Sequence, residues 1–241
     1  MAWYKEWFGQ EYLELYAHRD DSEAERHADF VMRLLDGTTP ERLRVLDLAC
    51  GAGRHSVALA QRGVEAVGVD LSITLLAQPR DGVRAAGDMR CLPFRDRSFD
   101  WVLNFFTSFG YFERERENFQ VLEEIVRLLK PGGRFLIDFF NKDRVLADLR
   151  REETKTIAGR TIHIERSYDS NSRRIQKRMR LESPGRSPST YLESVRAYDR
   201  DEVTIGARWA GLEVDALYGD FDGEPYHRDS ERLILVGHKP S

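Results

Sequence analysis

The sequence predicts an α/β fold: a doubly wound, mostly parallel sheet that carries an antiparallel insertion. Three observations predict it. Short Val/Leu-rich runs alternate with helical patterns between residues 43 and 140, as expected of parallel strands joined by right-handed crossovers. The first run ends in a small-residue turn, Cys50-Gly51-Ala52-Gly53, directly before a helical pattern. From about residue 152 the pattern becomes an apolar/polar alternation, the two-residue period of half-exposed antiparallel strands. The 241 residues suffice for one large α/β domain with a modest lid.

Residues 1–40 read as a helical arm. Tyr12, Leu13, Leu15 and Tyr16 form one apolar cluster, and Phe30, Val31, Leu34 and Leu35 another at helical spacing, with Asp36-Gly37 as a C-cap. The charged run His18-Arg19-Asp20-Asp21 lies between them. Such an arm either closes over a cofactor cleft or packs on the sheet edge. The core follows over 41–150: strand 43–48, helix 54–62, strand 64–70, helix 72–78, strand 83–87 and strand 99–105. An amphipathic helix over 114–129 comes next, then the turn Lys130-Pro131-Gly132-Gly133 and a fifth strand, Arg134 to Phe140. Three alternating runs (161–168, 174–181 and 190–198) make an antiparallel insertion over 151–199, a lid or a dimer element. Its outer arginines are either an anion site or a solvated strand face. Residues 200–241 return to the core with a helix over 200–210, a sixth strand from 211 and a last one over 232–237.

Composition excludes several classes. Hydrophobic residues are 41% and charged residues 32% of the chain, as in ordinary globular proteins, and a net charge of −4 gives no general attraction to DNA, RNA or anionic membranes. The two cysteines, Cys50 and Cys91, lack metal-ligand spacing and suit a reducing compartment, so no metal is expected. No apolar run approaches the roughly 20 residues that span a bilayer, and Met1 to Phe8 has no apolar core of a secretory signal. A soluble cytoplasmic protein is expected, a monomer or homodimer.

The candidate site lies where the parallel strands end, since ligands of doubly wound sheets bind outside their carboxyl ends. Asp47, Asp70, Asp88 and Asn104 all map there. Gly51 and Gly53 have no Cβ, which permits a sharp turn and a close ligand approach, with the next helix presenting its free N–H groups to the same crevice. An acid closing the second strand, Asp70, sits at the spacing from which a carboxylate binds both ribose hydroxyls. Together these pieces point to an adenosine-containing cofactor. Cys50 reads as a small turn residue.

The chain resembles the class I S-adenosylmethionine-dependent methyltransferases. The resemblance rests on five pieces in order: Val45-Leu-Asp-Leu-Ala-Cys-Gly-Ala-Gly53, Asp70, Gly87-Asp88-Met89, the Leu-Pro-Phe…Phe-Asp-Trp-Val-Leu run over 92–103, and Leu129-Lys-Pro-Gly-Gly-Arg-Phe-Leu136. Gly87 to Arg90, Phe109-Gly110-Tyr111 and the insertion are similar to small-molecule enzymes, the sugar N,N-dimethyltransferases and the glycine N-methyltransferase group. The resemblance implies a seven-stranded Rossmann-like sheet with its last strand antiparallel, and S-adenosyl-L-methionine as cofactor. It implies that Asp47, Gly51, Ala52 and Gly53 line the methionine and ribose portion, that Asp70 holds the ribose, and that Leu71 touches the adenine. It places Asp88 on the adenine amino group, Met89 beside the ring, and Asn104 and Phe105 near the sulfonium. The alternative for Asp88 is a turn residue capping the next segment.

The acceptor is expected to be a small molecule methylated on nitrogen or oxygen, by direct displacement with proximity and desolvation. A dedicated base is needed only if the acceptor arrives protonated or is a hydroxyl. Tyr111 and His18 are the catalytic candidates, with His227 behind them; Tyr111 and Asn141 are candidate acceptor contacts. A nicotinamide oxidoreductase would want glycine or alanine where Ser56 stands. An RNA methyltransferase and a non-catalytic S-adenosylmethionine-binding module are the alternatives, the first weakened by the mild acidity.

Overall fold

A computed structural model describes residues 2–16, 21–35, 39–157, 159–183, 185 and 187–241. His18 and the Asp36-Gly37 cap lie outside the described residues. The arm is three helices, α1 (Trp3–Trp7), α2 (Gln10–Leu15) and α3 (Asp21–Arg33). The core then runs β1 (Arg44–Leu48), α4 (Arg54–Ala60), β2 (Glu65–Asp70), α5 (Ile73–Leu76), β3 (Val83–Ala86), β4 (Phe99–Asn104), α6 (Glu115–Leu128), β5 (Leu129–Phe140) and α7 (Lys142–Ala147). The insertion is β6 (Glu152–Ile157), β7 (Arg160–Asp169), β8 (Arg174–Glu182) and β9 (Ser189–Arg196). The chain closes with α8 (Arg200–Ala210), β10 (Glu213–Tyr218) and β11 (Arg232–His238).

The seven-stranded sheet has the order β10-β11-β5-β4-β1-β2-β3. β1 pairs parallel with β2 and β4, and β11 alone runs antiparallel, to both β5 and β10. Successive side chains of a strand point to opposite faces, and here each face feeds a separate core. Val102, Phe135, Ile137, Leu233 and Leu235 pack under α6 and α8. Trp101, Leu103, Leu136, Ile234 and Val236 pack under α3 and α4. β3 departs from the doubly covered pattern, because it is an edge strand and Val83 is exposed.

Three expectations change. The insertion has a fourth strand, β6, whose sequence Glu-Glu-Thr-Lys-Thr-Ile carries no apolar alternation; pairing with β7 alone organises it. Lys130 to Gly133 lies within the span of β5 rather than before it, and the pairing with β4 shifts register there, from Phe99↔Leu129 to Trp101↔Arg134. The insertion arginines divide between the solvated strand face, where the side chains of Arg173, Arg178 and Arg180 are more than half exposed, and the interior. Arg173, Arg178 and Arg180 pair with Glu202, Glu165 and Glu182, while Arg174 and Arg196 are buried.

A third, small core joins the arm to the insertion. Trp7 and Leu15 of the arm pack with Ile162, Ile164, Met179 and Leu181 of β7 and β8. The two segments flank one cavity at the carboxyl ends of β1, β2 and β4.

Candidate active site

That cavity has a volume of about 1170 Å³. Its floor is main chain under strain. Ala49, Phe106 and Thr107, which follow the ends of β1 and β4, take φ of 61°, 57° and 57°, a region costly for residues with a Cβ, and all three line the cavity. Gly51 turns at φ 57°, where glycine carries no such cost. Asp138 and Arg232 hold the strained pair 106–107. The Phe106 amide donates to Asp138 Oδ2 at 2.8 Å, and Arg232 donates to Asp138 at 2.7 Å and to the Thr107 hydroxyl at 3.2 Å. Neither residue stands out in the sequence, because β11 brings Arg232 to β5 from 94 residues away.

At the β2 end, Asp70 lines the cavity. Its carboxylate accepts from the Gly51 amide at 2.8 Å and the Ser72 amide at 2.7 Å, which locks turn, acid and helix start into one unit. Burial pushes its pKa up, and the amides of Ser72 and Gly51 oppose that. Ser72 caps α5, and its hydroxyl donates to the Phe8 carbonyl at 2.6 Å, tying the arm to this edge.

Asp88 also lines the cavity, and Arg90 grips it. Arg90 Nε and Nη2 donate to the two carboxylate oxygens at 3.0 and 2.6 Å, while Nη1 donates to Glu117. Burial raises the Asp88 pKa, but the Arg90 bonds outweigh it and hold the group below the usual carboxylate range. The Arg90 amide donates to Asp88 Oδ1 at 3.0 Å, so the turn role is present together with the place on the wall. Ala52, Leu71, Met89 and Phe105 line the same cavity.

Five sequence-predicted residues sit elsewhere. Asp47 is 1% exposed, does not line the cavity, and accepts from the Ser56 amide and hydroxyl, anchoring the first turn of α4 to β1; burial pushes its pKa up to about 6. Gly53 is not on the cavity wall and serves as the left-handed N-cap of α4. Asn104 is buried beneath the wall, donating to the Leu48 carbonyl at 2.9 Å, and its Oδ1 has no partner. Asn141, a candidate acceptor contact, does not line the cavity. It caps α7 and donates to the carbonyls of Arg228 and Ser230 at 2.8 Å each, which clamps the β10–β11 loop. His227, in that loop, does not line the cavity either.

Tyr111 does line the cavity, within an aromatic wall supplied by the arm. Trp3 meets its ring edge-on at 4.8 Å and Phe8 stacks on it at 5.8 Å. Beyond it stand insertion residues that face one another across the ladder: Arg166 opposite Lys177, and Lys177 opposite Glu193. Lys177 donates to the Tyr16 hydroxyl at 2.8 Å, and Arg166 to Glu153 at 2.9 Å. Sequence reading missed these cavity residues, since an alternating strand does not reveal which face meets a cleft.

His55 lines the cavity as well, but it is turned away. Its Nε2 lies 3.1 Å from His27 Nδ1, and the rings stack on Phe105 and Phe221 at 4.1 and 3.5 Å. Burial drives the pKa of His27 down to about 3 and that of His55 well below its ordinary value, so the pair is neutral. Burial likewise pushes the Cys50 thiol pKa up, which makes it inert.

Fold and cavity together define a protein that can seat an adenosine cofactor at the carboxyl ends of a parallel sheet, with room for a second ligand. The donor set fits that cofactor: a carboxylate at the end of β2, a strained main-chain floor, and apolar Leu71 and Met89 beside Asp88. Comparisons with known proteins agree. Residues 45–133 match the family described as Methyltransferase domain. Cypemycin N-terminal methyltransferase of a Streptomyces species is 32% identical over 213 residues, covering 85% of this chain and 84% of that protein. A dTDP-3-amino-3,4,6-trideoxy-alpha-D-glucopyranose N,N-dimethyltransferase of Streptomyces venezuelae is 28% identical, covering 81% and 86%. Among solved structures, the CcbJ methyltransferase of Streptomyces caelestis superposes with a TM-score of 0.78 at 22% identity, over 92% of this chain and 93% of that one. SAM-bound CalS10, an amino pentose methyltransferase of Micromonospora echinaspora, gives 0.68 at 22% identity, over 95% and 97%. The chain belongs to the S-adenosylmethionine-dependent methyltransferases. Its cofactor is S-adenosyl-L-methionine.

Proposed function

We propose that this enzyme methylates an amine nitrogen of a small molecule. Bound at the β1–β2 end, S-adenosylmethionine supplies an electrophilic methyl group, and the reactivity is its own. The chain then has to align the nucleophile, exclude water and tolerate the departing proton. The observation that carries the reading is that the acceptor wall offers no free imidazole: among the described residues the one histidine there, His55, is buried, neutral and turned to His27, and the carboxylate on that wall, Glu193, is already shared with Lys177. A hydroxyl acceptor needs a base, whereas an amine that arrives neutral needs only alignment. Glu193 draws an ammonium to the cavity, the ammonium gives its proton to solvent to become the neutral amine that reacts, and Tyr111 with the aromatic wall favours the cationic N-methylated product. One relative's name specifies nitrogen, an N,N-dimethyltransferase, and another's places methylation at an N-terminus.

In this reading Asp70 holds the ribose, Asp88 and Met89 the adenine, and Gly51 and Ala52 the methionine portion. The arm over 1–40 and the insertion over 151–199 form the acceptor side of the cleft, and 41–150 with 200–241 form the cofactor-binding core. The RNA alternative gains little from the insertion, where Arg173, Arg178 and Arg180 are shared with carboxylates and Arg174 and Arg196 are buried. The test is an acceptor panel with S-adenosylmethionine, read by mass spectrometry: a nucleotide-linked amino sugar, a peptide with a free N-terminus, and the matched hydroxyl analogue of each. One or two added methyl groups on an amine, with the hydroxyl analogue untouched, is the expected result. Methylation of hydroxyl analogues alone would sink the nitrogen assignment.

A further inference from the structure

Arg174 opens β8, in a stretch that reads as a surface strand, yet it is only 8% exposed. Its guanidinium makes five hydrogen bonds, and none goes to a carboxylate. Nε donates to the Ser194 hydroxyl at 2.8 Å, Nη1 to the Phe112 carbonyl at 2.9 Å, and Nη2 to the carbonyls of Gly110 at 3.2 Å, Tyr111 at 3.0 Å and Ser194. A buried cation without an anionic partner is costly to desolvate. Here it reaches three consecutive carbonyls of the loop after β4.

The loop is held from two more sides. The Gly110 carbonyl accepts from the Arg196 amide at 2.9 Å, and the Asn118 side chain accepts from the Phe112 amide and donates to the Phe112 carbonyl. Gly110 sits at φ 89°, and a Cβ there would stand 3.0 Å from the Arg196 carbonyl oxygen, so the loop lies hard against β9. With the main chain of 110–112 clamped, the Tyr111 ring is set at the cavity wall against Trp3 and Phe8.

We propose that Arg174 is a positioning residue for methyl transfer: it fixes the main chain of Gly110 to Phe112 so that the Tyr111 ring is presented to the acceptor and forms the seat on which the N-terminal arm docks. The inference rests on the reading of Tyr111 as an acceptor contact. An arginine is required because its planar fork offers five donors in fixed directions, while a lysine offers three from a single point.

The test compares wild type, Arg174→Lys, Tyr111→Ala and the double variant in the full-length protein. S-adenosylhomocysteine affinity by calorimetry and the thermal midpoint report whether core and cofactor site survive, and Arg174→Lys is expected to keep cofactor affinity within about twofold. Amide exchange on the S-adenosylhomocysteine complex needs no acceptor. Arg174→Lys is expected to raise exchange at 110–112 and also in the arm over 3–8, as Tyr111→Ala does in the arm. With an amine that accepts methyl, kcat/KM is expected to fall roughly a hundredfold, the scale of a small misplacement at a reacting centre. In the Tyr111→Ala background Arg174→Lys should add nothing further, because both changes remove the same interaction.

Unchanged arm exchange in Arg174→Lys, or losses that multiply in the double variant, would overturn the proposal in favour of a purely structural role. If no amine in the panel is methylated, the nitrogen assignment fails, while the exchange experiment still decides the role of Arg174. Should Arg174→Lys fail to fold, Ser194→Ala removes one partner of the guanidinium and is expected to give the same pattern at smaller amplitude; arm exchange equal to wild type would then overturn the proposal.

Discussion

The two ends of the cavity are built in different ways. The cofactor end is made by main chain on a rigid floor: the turn at 49–51, the Asp70 carboxylate bonded to two amides, and the strained pair 106–107 braced by Asp138 and Arg232. It stands on the two large cores of the parallel sheet. The acceptor end is made by side chains of two segments remote in sequence, the arm and the insertion, which share a small core of their own. The first construction serves a ligand common to the family, and its geometry is local. The second lets acceptor contacts change without disturbing the first, which is how one fold carries many substrates.

Removing the largest residue of the small core tests that separation most severely. Trp7→Ala is expected to cost about 3–5 kcal/mol of arm docking, seen as raised amide exchange over 3–15 and 160–181. Exchange in the strands of the parallel sheet should stay as in wild type. A uniform rise across all strands would mean that the two ends fold as one unit and would end the comparison.

Asp70→Ala breaks the cofactor end instead. Loss of hydrogen bonds to a charged group, worth about 1.5–3 kcal/mol, is expected to weaken S-adenosylhomocysteine binding by roughly 10- to 100-fold in a calorimeter. Arm exchange should rise far less than in Trp7→Ala, with any change confined to the Ser72–Phe8 tie, and NAD should bind neither protein. Unaltered S-adenosylhomocysteine binding would remove the ribose role from Asp70.

Stability against pH sharpens the contrast beneath the cofactor end. The folded pKa of His27 lies at about 3, below its ordinary 6.5, so the stability it contributes is complete above pH 6.5 and is lost as pH falls towards 3. Between pH 6.5 and 5 that loss is about 2 kcal/mol, and His55, lowered in the same direction, adds to it. Asp47 works oppositely: its folded pKa of about 6 exceeds its ordinary value, so its burial penalty shrinks as pH falls through that range, returning about 1 kcal/mol. Urea titrations from pH 7 to 5 should therefore show a net fall, flatter in His27→Phe and steeper in Asp47→Asn. A wild-type profile that is flat or rises would contradict the neutral histidine pair.

The smallest effect belongs to the acceptor end. Glu193 is partly exposed and already shared with Lys177, and such pairs are worth about 0.2–1 kcal/mol. Glu193→Gln is expected to raise the KM for an amine acceptor about two- to fivefold, with S-adenosylhomocysteine affinity unaltered. An equal change in both would place Glu193 at the cofactor.

Much of the fold was legible in the chain because it is written locally. Val/Leu runs, the glycine turn and the acid at position 70 each depend on neighbours within a few residues, and the seven-stranded sheet follows from their alternation. Where the structure puts a residue off its expected place, the deciding contact lies beyond its immediate neighbours. Asn141 follows a strand at the ligand-bearing end, yet its amide is committed to carbonyls 87 and 89 residues away. Asp47 belongs to the turn motif, but its side chain points under α4, on the face opposite to that of Leu46 and Leu48. β6 has no apolar period, and only the edge of β7 makes it a strand.

The sequence by itself determined the class of ligand, because an adenosine site at strand ends is main-chain geometry and one acid, and both are set by short-range spacing. Only the tertiary structure decided the acceptor wall. Which arginine is buried, which histidines face each other and which face of an alternating strand meets the cavity all depend on how the arm and insertion pack. An alternating strand has two equivalent faces until something covers one of them.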